Sequence, residues 1–154
     1  LAPERWAASF DEKHYSALHR LHIWNFAAQR ITDAPVIGWG LDAARRIPGG
    51  DTKLAGGGNV MSVHTHNGSL QIWLELGAVG ALIFAGLLAA LWLRIAILEE
   101  RSLRAGGTGL LLSALMVANL SFGIWQTWWM ASLALSGLLF MIAQKLKLDE
   151  RLNI

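Results

Sequence analysis

The sequence contains no cysteine and few charged residues. Only 16% of its 154 residues are Asp, Glu, Lys or Arg, and 54% are hydrophobic, whereas an average soluble domain is about a quarter charged. The absence of cysteine excludes thiolate catalysis, iron–sulfur clusters, cysteine-ligated zinc and a disulfide-stapled miniprotein. The hydrophobic content excludes a disordered tail and argues against a freely soluble globule.

The charges are few and unevenly distributed. A net charge of +2, from 13 basic and 11 acidic residues, is too small and too scattered to predict a nucleic-acid partner. All five histidines precede residue 70, and a long apolar region follows them. We therefore expect a polar segment joined to a membrane-embedded one. Since the chain begins with neither Met nor a signal peptide, we expect a C-terminal fragment of a longer protein.

The polar segment, residues 1–68, is predicted to contain one amphipathic helix at about 10–33. The helix starts at the capping-box spacing Ser9-x-x-Glu12 and stops before Pro35. It is too polar to cross a bilayer and is expected to lie at the membrane surface.

Three apolar stretches then predict membrane spans, because about 20 apolar residues cross the hydrocarbon. The fold class is therefore an all-α membrane protein. Basic residues flank the connection after the first span, and the tryptophan-rich turn between the last two spans has no charge, so residues 1–68 should lie outside the cytoplasm. The predicted segments are transmembrane helices at 69–93, 109–125 and 127–143, a cytoplasmic loop at 94–108 and a cytoplasmic tail at 144–154.

Two groups of polar side chains are candidates for chemistry. A neutral imidazole at His66, where an aqueous loop enters the first span, could accept a proton from a sugar hydroxyl. The alternative is a structural histidine at the start of a helix. The guanidinium groups of Arg20 and Arg30 suit phosphate oxygens, although Arg20 could instead stack on Trp24. A metal site at the histidines is a weaker alternative, since no carboxylate spacing accompanies them.

Two features of the first span also need an explanation. Glu75 is a carboxylate inside an apolar helix, which indicates function by default; we expect it to be protonated or bonded to a polar group on a helix outside this sequence. Gly77-x-x-Gly80 predicts a small-residue face against a neighbouring helix.

Taken in order, these residues resemble the O-antigen ligase family of membrane glycosyltransferases. The family elements are R-x-x-x-W, P-x-x-G-x-G and H-N-x9-G-x-x-G, and the L-E-L-G stretch around Glu75 is also similar. The detailed resemblance covers about residues 18–93. The residues that carry it are Arg20, Trp24, Pro35, Gly38, Gly40, His66, Asn67, Gly77 and Gly80.

The resemblance implies a multi-pass protein of the bacterial inner membrane, part of a GT-C-like bundle, with residues 1–68 in the periplasm. It implies transfer of a glycan from undecaprenyl diphosphate to lipid A–core or another saccharide acceptor, without metal or other cofactor. His66 would be the general base, and Arg20, Arg30 and Asn67 would contact substrate. Without the upstream helices, the fragment is not expected to be active alone.

Three alternatives remain open at this point. They are a polysaccharide polymerase of the same family, a non-catalytic subunit of a polysaccharide-assembly machine, and a membrane metal-binding protein. The sequence leaves the sugar, the acceptor and the oligomeric state undetermined.

Overall fold

A computed structural model describes residues 15–54, 58–61 and 63–152. Within these ranges there is no β-strand, only an isolated bridge between Lys53 and Asn59, so the predicted all-α class is confirmed. The predicted capping box at Ser9 and Glu12 lies outside the described residues. The four α-helices of the described ranges are α1, Tyr15–Asp33; α2, Gly68–Ala96; α3, Arg101–Leu120; and α4, Thr127–Leu152.

Three of these helices are long and apolar enough to cross a membrane, as predicted. They are α2 with 29 residues, α3 with 20 and most of α4, from Thr127 to Glu150, with 24. At about 1.5 Å per residue, each reaches or exceeds the roughly 30 Å of the hydrocarbon core. The chain is therefore a membrane protein.

Helix α1 packs one face against the rest of the polar segment and against the start of α2. Ile23, Phe26 and Ala27 recur at helical spacing and are all buried. A 3-10 turn, Ala43–Arg45, forms where the chain runs back over this face. Leu74 of α2 completes the hydrophobic core of the polar segment, whose other buried members are Ile23, Phe26, Ala27, Ala44, Ile47 and Met61.

The helix boundaries of the membrane region differ from the predicted ones. Helix α3 already begins at Arg101, inside the stretch assigned to a loop at 94–108, because Glu100 lies at its N-cap position and accepts the first helical bond from Arg104 (3.0 Å). Its end at Leu120 is earlier than the predicted 125. Helix α4 also continues through the predicted tail, where Lys147 pairs with Glu150 one turn later.

Gly106 and Gly107 lie inside α3 and do not mark a loop. A Cβ atom at Gly107 would press on Phe140 of α4 and Ile95 of α2. The small residue lets three helices approach one another here. This is the close helix contact that the sequence assigned to Gly77 and Gly80.

Candidate functional site

Helix α2 is interrupted at Gly77, the first glycine of the G-x-x-G element. The backbone there has φ 63° and ψ −162°, a conformation that side chains with a Cβ rarely adopt. A Cβ atom at Gly77 would overlap the backbone of Val36 and Gly38. Gly38, at φ 69°, would in turn overlap the backbone of Glu75 and Gly77. Two glycines are therefore required where the two backbone segments cross.

The loop at 35–40 replaces the hydrogen bonds that α2 loses at this break. Two of its N–H groups donate to carbonyls before the break, and two of its carbonyls accept from N–H groups after it. Backbone hydrogen bonds thereby join the polar segment to the membrane helix at its break. The four bonds run from Trp39 N to Leu74 O (3.0 Å), Gly40 N to Glu75 O (2.8 Å), Ala78 N to Pro35 O (2.9 Å) and Val79 N to Val36 O (3.1 Å).

The sequence-based interpretation as a helix-packing face is therefore wrong for Gly77, and for Gly80 it stays a prediction. Gly77 faces a loop, and a Cβ atom at Gly80 would meet Leu76 of its own helix. A G-x-x-G spacing looks the same in the sequence whether it forms a helix-packing face or a helix break. Only the positive φ at Gly77 identifies the break.

The Glu75 carboxylate is completely buried and accepts hydrogen bonds from three parts of the chain. Gln71 Nε2 donates to one oxygen (3.1 Å); the backbone N–H of Asp42 (3.0 Å) and the indole N–H of Trp125 donate to the other. Gln71 Oε1 accepts from the N–H of Ile124 (3.1 Å). All these donors are within the described chain, so the expected partner on an outside helix is not needed.

The segment from His64 to Asn67 is held at the start of α2 by side-chain hydrogen bonds. The indole N–H of Trp24 donates to the carbonyl of Thr65 (2.9 Å), and the Thr65 hydroxyl donates to the carbonyl of Asn67 (2.6 Å). Asn67 Oδ1 accepts from the N–H of Leu70 (2.9 Å) and so caps the N-terminus of α2. Trp24 of the R-x-x-x-W element thus positions the histidine segment.

His66 and Arg20 meet at the C-terminal end of α3. His66 Nδ1 lies 2.8 Å from the carbonyl oxygen of Ser121, and Arg20 Nη1 donates to the preceding carbonyl, Leu120 (2.8 Å). A carbonyl oxygen only accepts, so Nδ1 carries the proton. In the neutral ring Nε2 is then the basic nitrogen. The structure therefore brings together a cation and an imidazole with a defined tautomer.

His64 packs against His66, with 4.2 Å between the ring centroids. Burial, assisted by the nearby His66, Arg45 and Arg20, lowers the pKa of His64 to about 4. Desolvation and neighbouring cations both disfavour the imidazolium form. His64 is therefore neutral at pH 7.

Arg30 lies elsewhere. It is ten residues after Arg20, about 15 Å further along α1, where it pairs with Asp33 (3.0 Å) and its guanidinium lies 5.0 Å from the ring centroid of Phe26. The structure does not bring Arg30 to His66. Among the described residues, no three His, Asp or Glu side chains are grouped so as to hold a metal ion, and the metal-binding alternative gains no site there.

An open cleft of about 450 Å³ lies beside His64. Its wall includes Asp42 and Arg45 together with Trp125, Gln126 and Trp128. Sequence reasoning missed this cleft, because it assigned the tryptophans only to the membrane interface. A signal was present: Gln71 precedes Glu75 by one helical turn, and such a polar pair inside an apolar helix needs partners from another segment.

The sequence is similar to one family profile and to several curated proteins. The profile of a family described as O-antigen ligase matches residues 4–85. A protein of Rickettsia conorii provisionally named a polysaccharide ligase is 34% identical over 121 residues, which cover 76% of this chain and 29% of that protein. A protein of Rickettsia prowazekii with the same provisional name is 31% identical over 148 residues, 94% of this chain and 36% of its own length.

A third relative has the same provisional name. The provisionally named polysaccharide ligase of Rickettsia typhi is 33% identical over 135 residues, 85% of this chain and 32% of that protein. The chain thus spans about a third of the length of the curated relatives it matches. No solved structure matches it significantly.

Proposed function

This chain belongs to the O-antigen ligase family, and on that premise we propose that it forms the C-terminal part of a membrane glycosyltransferase of cell-surface polysaccharide biosynthesis. The proposed enzyme moves a glycan from undecaprenyl diphosphate to lipid A–core or another saccharide acceptor. Provisionally named polysaccharide ligases among the relatives support this class of reaction. The whole reaction requires the rest of the protein.

The proposed general base is His66. Its Nδ1 is occupied by the Ser121 carbonyl, so Nε2 is the nitrogen that accepts a proton from the acceptor hydroxyl. The hydroxyl oxygen then forms a bond to the anomeric carbon as the bond from that carbon to the diphosphate oxygen breaks. The contact of His66 Nδ1 with the Ser121 carbonyl oxygen is the single observation that carries this proposal.

The proposed cation for the leaving diphosphate is Arg20. A guanidinium has five N–H donors, so Arg20 can keep its bond to the Leu120 carbonyl while it binds phosphate oxygens. Negative charge grows on the diphosphate during the reaction, and a cation fixed beside it stabilises the transition state. Asn67 contributes by capping α2; contacts of Asn67 and Arg30 with substrate remain predictions without geometric support.

The proposed location is the bacterial inner membrane, with residues 1–68 in the periplasm. The connection between α2 and α3 is short and is flanked by Arg94, Arg101 and Arg104. The turn between α3 and α4, at 121–126, carries no charge. Basic residues concentrate at the cytoplasmic ends of spans, which supports an outward position for the turn and for His66.

The decisive experiment is His66→Ala in the full-length protein, expressed in a strain that lacks the chromosomal copy. Loss of a general base should reduce glycan transfer by roughly 10²–10⁴-fold at an unchanged level of protein in the membrane. The lipid-linked polymer should accumulate, as measured by gel analysis of surface and lipid-linked glycans. The matched control is His22→Ala, another histidine of the polar segment, which should retain transfer.

Three results would contradict the proposal. Undiminished transfer by His66→Ala would show that His66 is not the general base. Accumulation of single repeat units in place of polymer would change the assignment to a polymerase. Because these 154 residues contain no cysteine, a cysteine introduced at Asp51 in an otherwise cysteine-free full-length variant can be labelled selectively; labelling from the cytosolic side only would reverse the proposed topology.

A further inference from the structure

The cleft beside His64 has the size and position of a ligand site. Its volume of about 450 Å³ is within the range of small-molecule sites, roughly 300–1,000 Å³. It is lined by residues within 41–45, by the end of the turn that precedes α4 and by the first residues of α4, Thr127 and Trp128. Resting on the proposed glycan transfer, we propose that this cleft binds a sugar ring of the acceptor saccharide.

The first support for a sugar is the indole of Trp128. This side chain is 50% exposed and forms part of the cleft wall. Its ring is held by edge contacts with Phe122, at 4.7 Å between centroids, and with Trp129, at 6.2 Å. A fixed, exposed aromatic side chain offers a large apolar surface at little cost in conformational entropy. The C–H face of a sugar ring is complementary to such a surface.

The second support is the mixture of polar groups around this surface. Asp42 and Arg45 form an ion pair of 3.6 Å, and both side chains are more than half exposed. The side-chain oxygen of Gln126 is buried and has no hydrogen-bond partner among the described residues. A hydroxyl group both donates and accepts. A sugar with several hydroxyls can therefore satisfy a carboxylate, a guanidinium and an amide oxygen at once.

The same groups argue against a phosphate in this cleft. The charge of Arg45 is balanced by Asp42 at its side, and His64 is neutral at pH 7 because burial lowers its pKa. A diphosphate requires an excess of cations or donors, which this wall does not provide. The ligand that fits is an uncharged or weakly charged polyol.

The position of the cleft favours the acceptor. His64 forms part of its wall, and the His64 ring contacts that of His66. A sugar in the cleft is thus separated from the proposed base by one imidazole ring. An adjoining hydroxyl of the same saccharide can extend past His64 to Nε2 of His66.

The test measures saccharide binding to the full-length protein in lipid nanodiscs. The probe is the core oligosaccharide released by mild acid from the lipopolysaccharide of the producing bacterium, and saturation-transfer NMR measures its dissociation constant. Trp128→Ala should weaken binding about tenfold, in the range expected for one aromatic contact. Trp128→Phe should weaken it less. Trp92→Ala is the matched control, since this tryptophan of α2 is 47% exposed and distant in sequence from the cleft.

Further variants make the outcome specific. Gln126→Ala should weaken binding by about threefold, because one hydrogen bond to the ligand is lost. Inorganic pyrophosphate should not displace the oligosaccharide. Equal affinities of Trp128→Ala and Trp92→Ala, or displacement by pyrophosphate, would overturn the proposal. Because melting temperature is measured on the same samples, a misfolded Trp128→Ala is replaced by Trp128→Phe for the comparison.

His66→Ala separates this proposal from the proposed function. It should lose transfer while oligosaccharide binding weakens by at most about threefold, because one hydrogen bond to the saccharide is removed. If transfer persists in His66→Ala but Trp128→Ala weakens binding, the catalytic assignment fails and the cleft stands. If transfer is lost but Trp128→Ala binds normally, the cleft assignment alone fails.

Discussion

The polar segment and the three apolar helices are held together in different ways. In the polar segment, side chains such as Ile23 and Ala27 are completely buried, and backbone groups find specific partners on distant parts of the chain. In the apolar windows of α2, α3 and α4 only 11%, 6% and 6% of the residues are buried. Apart from the break at Gly77, the apolar helices satisfy their backbone hydrogen bonds internally, and they need lipid or other helices around them.

The two regions should therefore differ in how well they tolerate substitution. The geometry around His66 depends on a few groups that have no substitute, whereas an exposed leucine on a membrane helix can be exchanged for another apolar residue. The boundary between the two regions is the break at Gly77, within a single helix. Substitutions on the two sides of this boundary should therefore differ in effect even when they are chemically identical.

Gly77→Ala should have the largest effect on stability. The new methyl group would overlap the loop backbone, and φ 63° is unfavourable for alanine, so we expect destabilisation of about 3 kcal/mol or more. Gly86→Ala, in the same helix with open space around it, should be neutral or slightly stabilising. Thermal unfolding of the full-length protein in detergent measures both. Equal losses would break the distinction between the two regions.

Glu75→Gln should have the second largest effect. The amide would place a donor among groups that all donate to this position, and Gln71 cannot reverse its own amide because its oxygen accepts from Ile124. Leaving buried donors unsatisfied should destabilise by about 2–3 kcal/mol and shift the fluorescence of Trp125. Asp51→Asn, on the exposed surface, is the matched change of carboxylate to amide. A Glu75→Gln protein as stable as Asp51→Asn would show that the carboxylate is replaceable.

The most gradual effect should come from acid. The pKa of His64 is about 4 in the folded protein and about 6.5 when unfolded. Between these values the unfolded chain binds a proton that the folded one does not, so stability should fall as pH decreases from 6.5 to 4 and should not depend on this group above 6.5. His64→Gln should reduce the slope of melting temperature against pH, and His22→Gln should not. Identical slopes would contradict a neutral His64.

Much of the fold follows from hydropathy and local signals. The apolar stretches contain enough residues to define three spans, and Asn67 has the side chain that an N-cap requires. Helix boundaries were harder to predict. The charges of Arg101 and Arg104 are typical of a loop, but charged side chains are also tolerated in the first turn of a helix at the membrane surface. Likewise, the sequence alone suggests a turn at Gly107. Only its neighbours on the other helices show that it lies at a helix–helix contact.

The candidate site was only partly predictable for a similar reason. His66, Arg20 and Trp24 belong to elements that resemble a family, and the structure places them around the same short segment. The contributions of Ser121 and Leu120 are backbone carbonyls, which leave no trace in residue type. Arg30 shares a helix with Arg20, but ten residues of rise separate the two, and helical periodicity alone gave no reason to prefer one.

The interruption of α2 changes how deep its acidic residue lies. The helix after the break, residues 78–96, is about 28 Å long at 1.5 Å per residue, which nearly matches the hydrocarbon thickness by itself. The turns before the break can then remain in the headgroup layer, capped by protein. Glu75, two residues before the break, then lies above the lipid chains, where Asp42, Gln71 and Trp125 supply its hydrogen bonds.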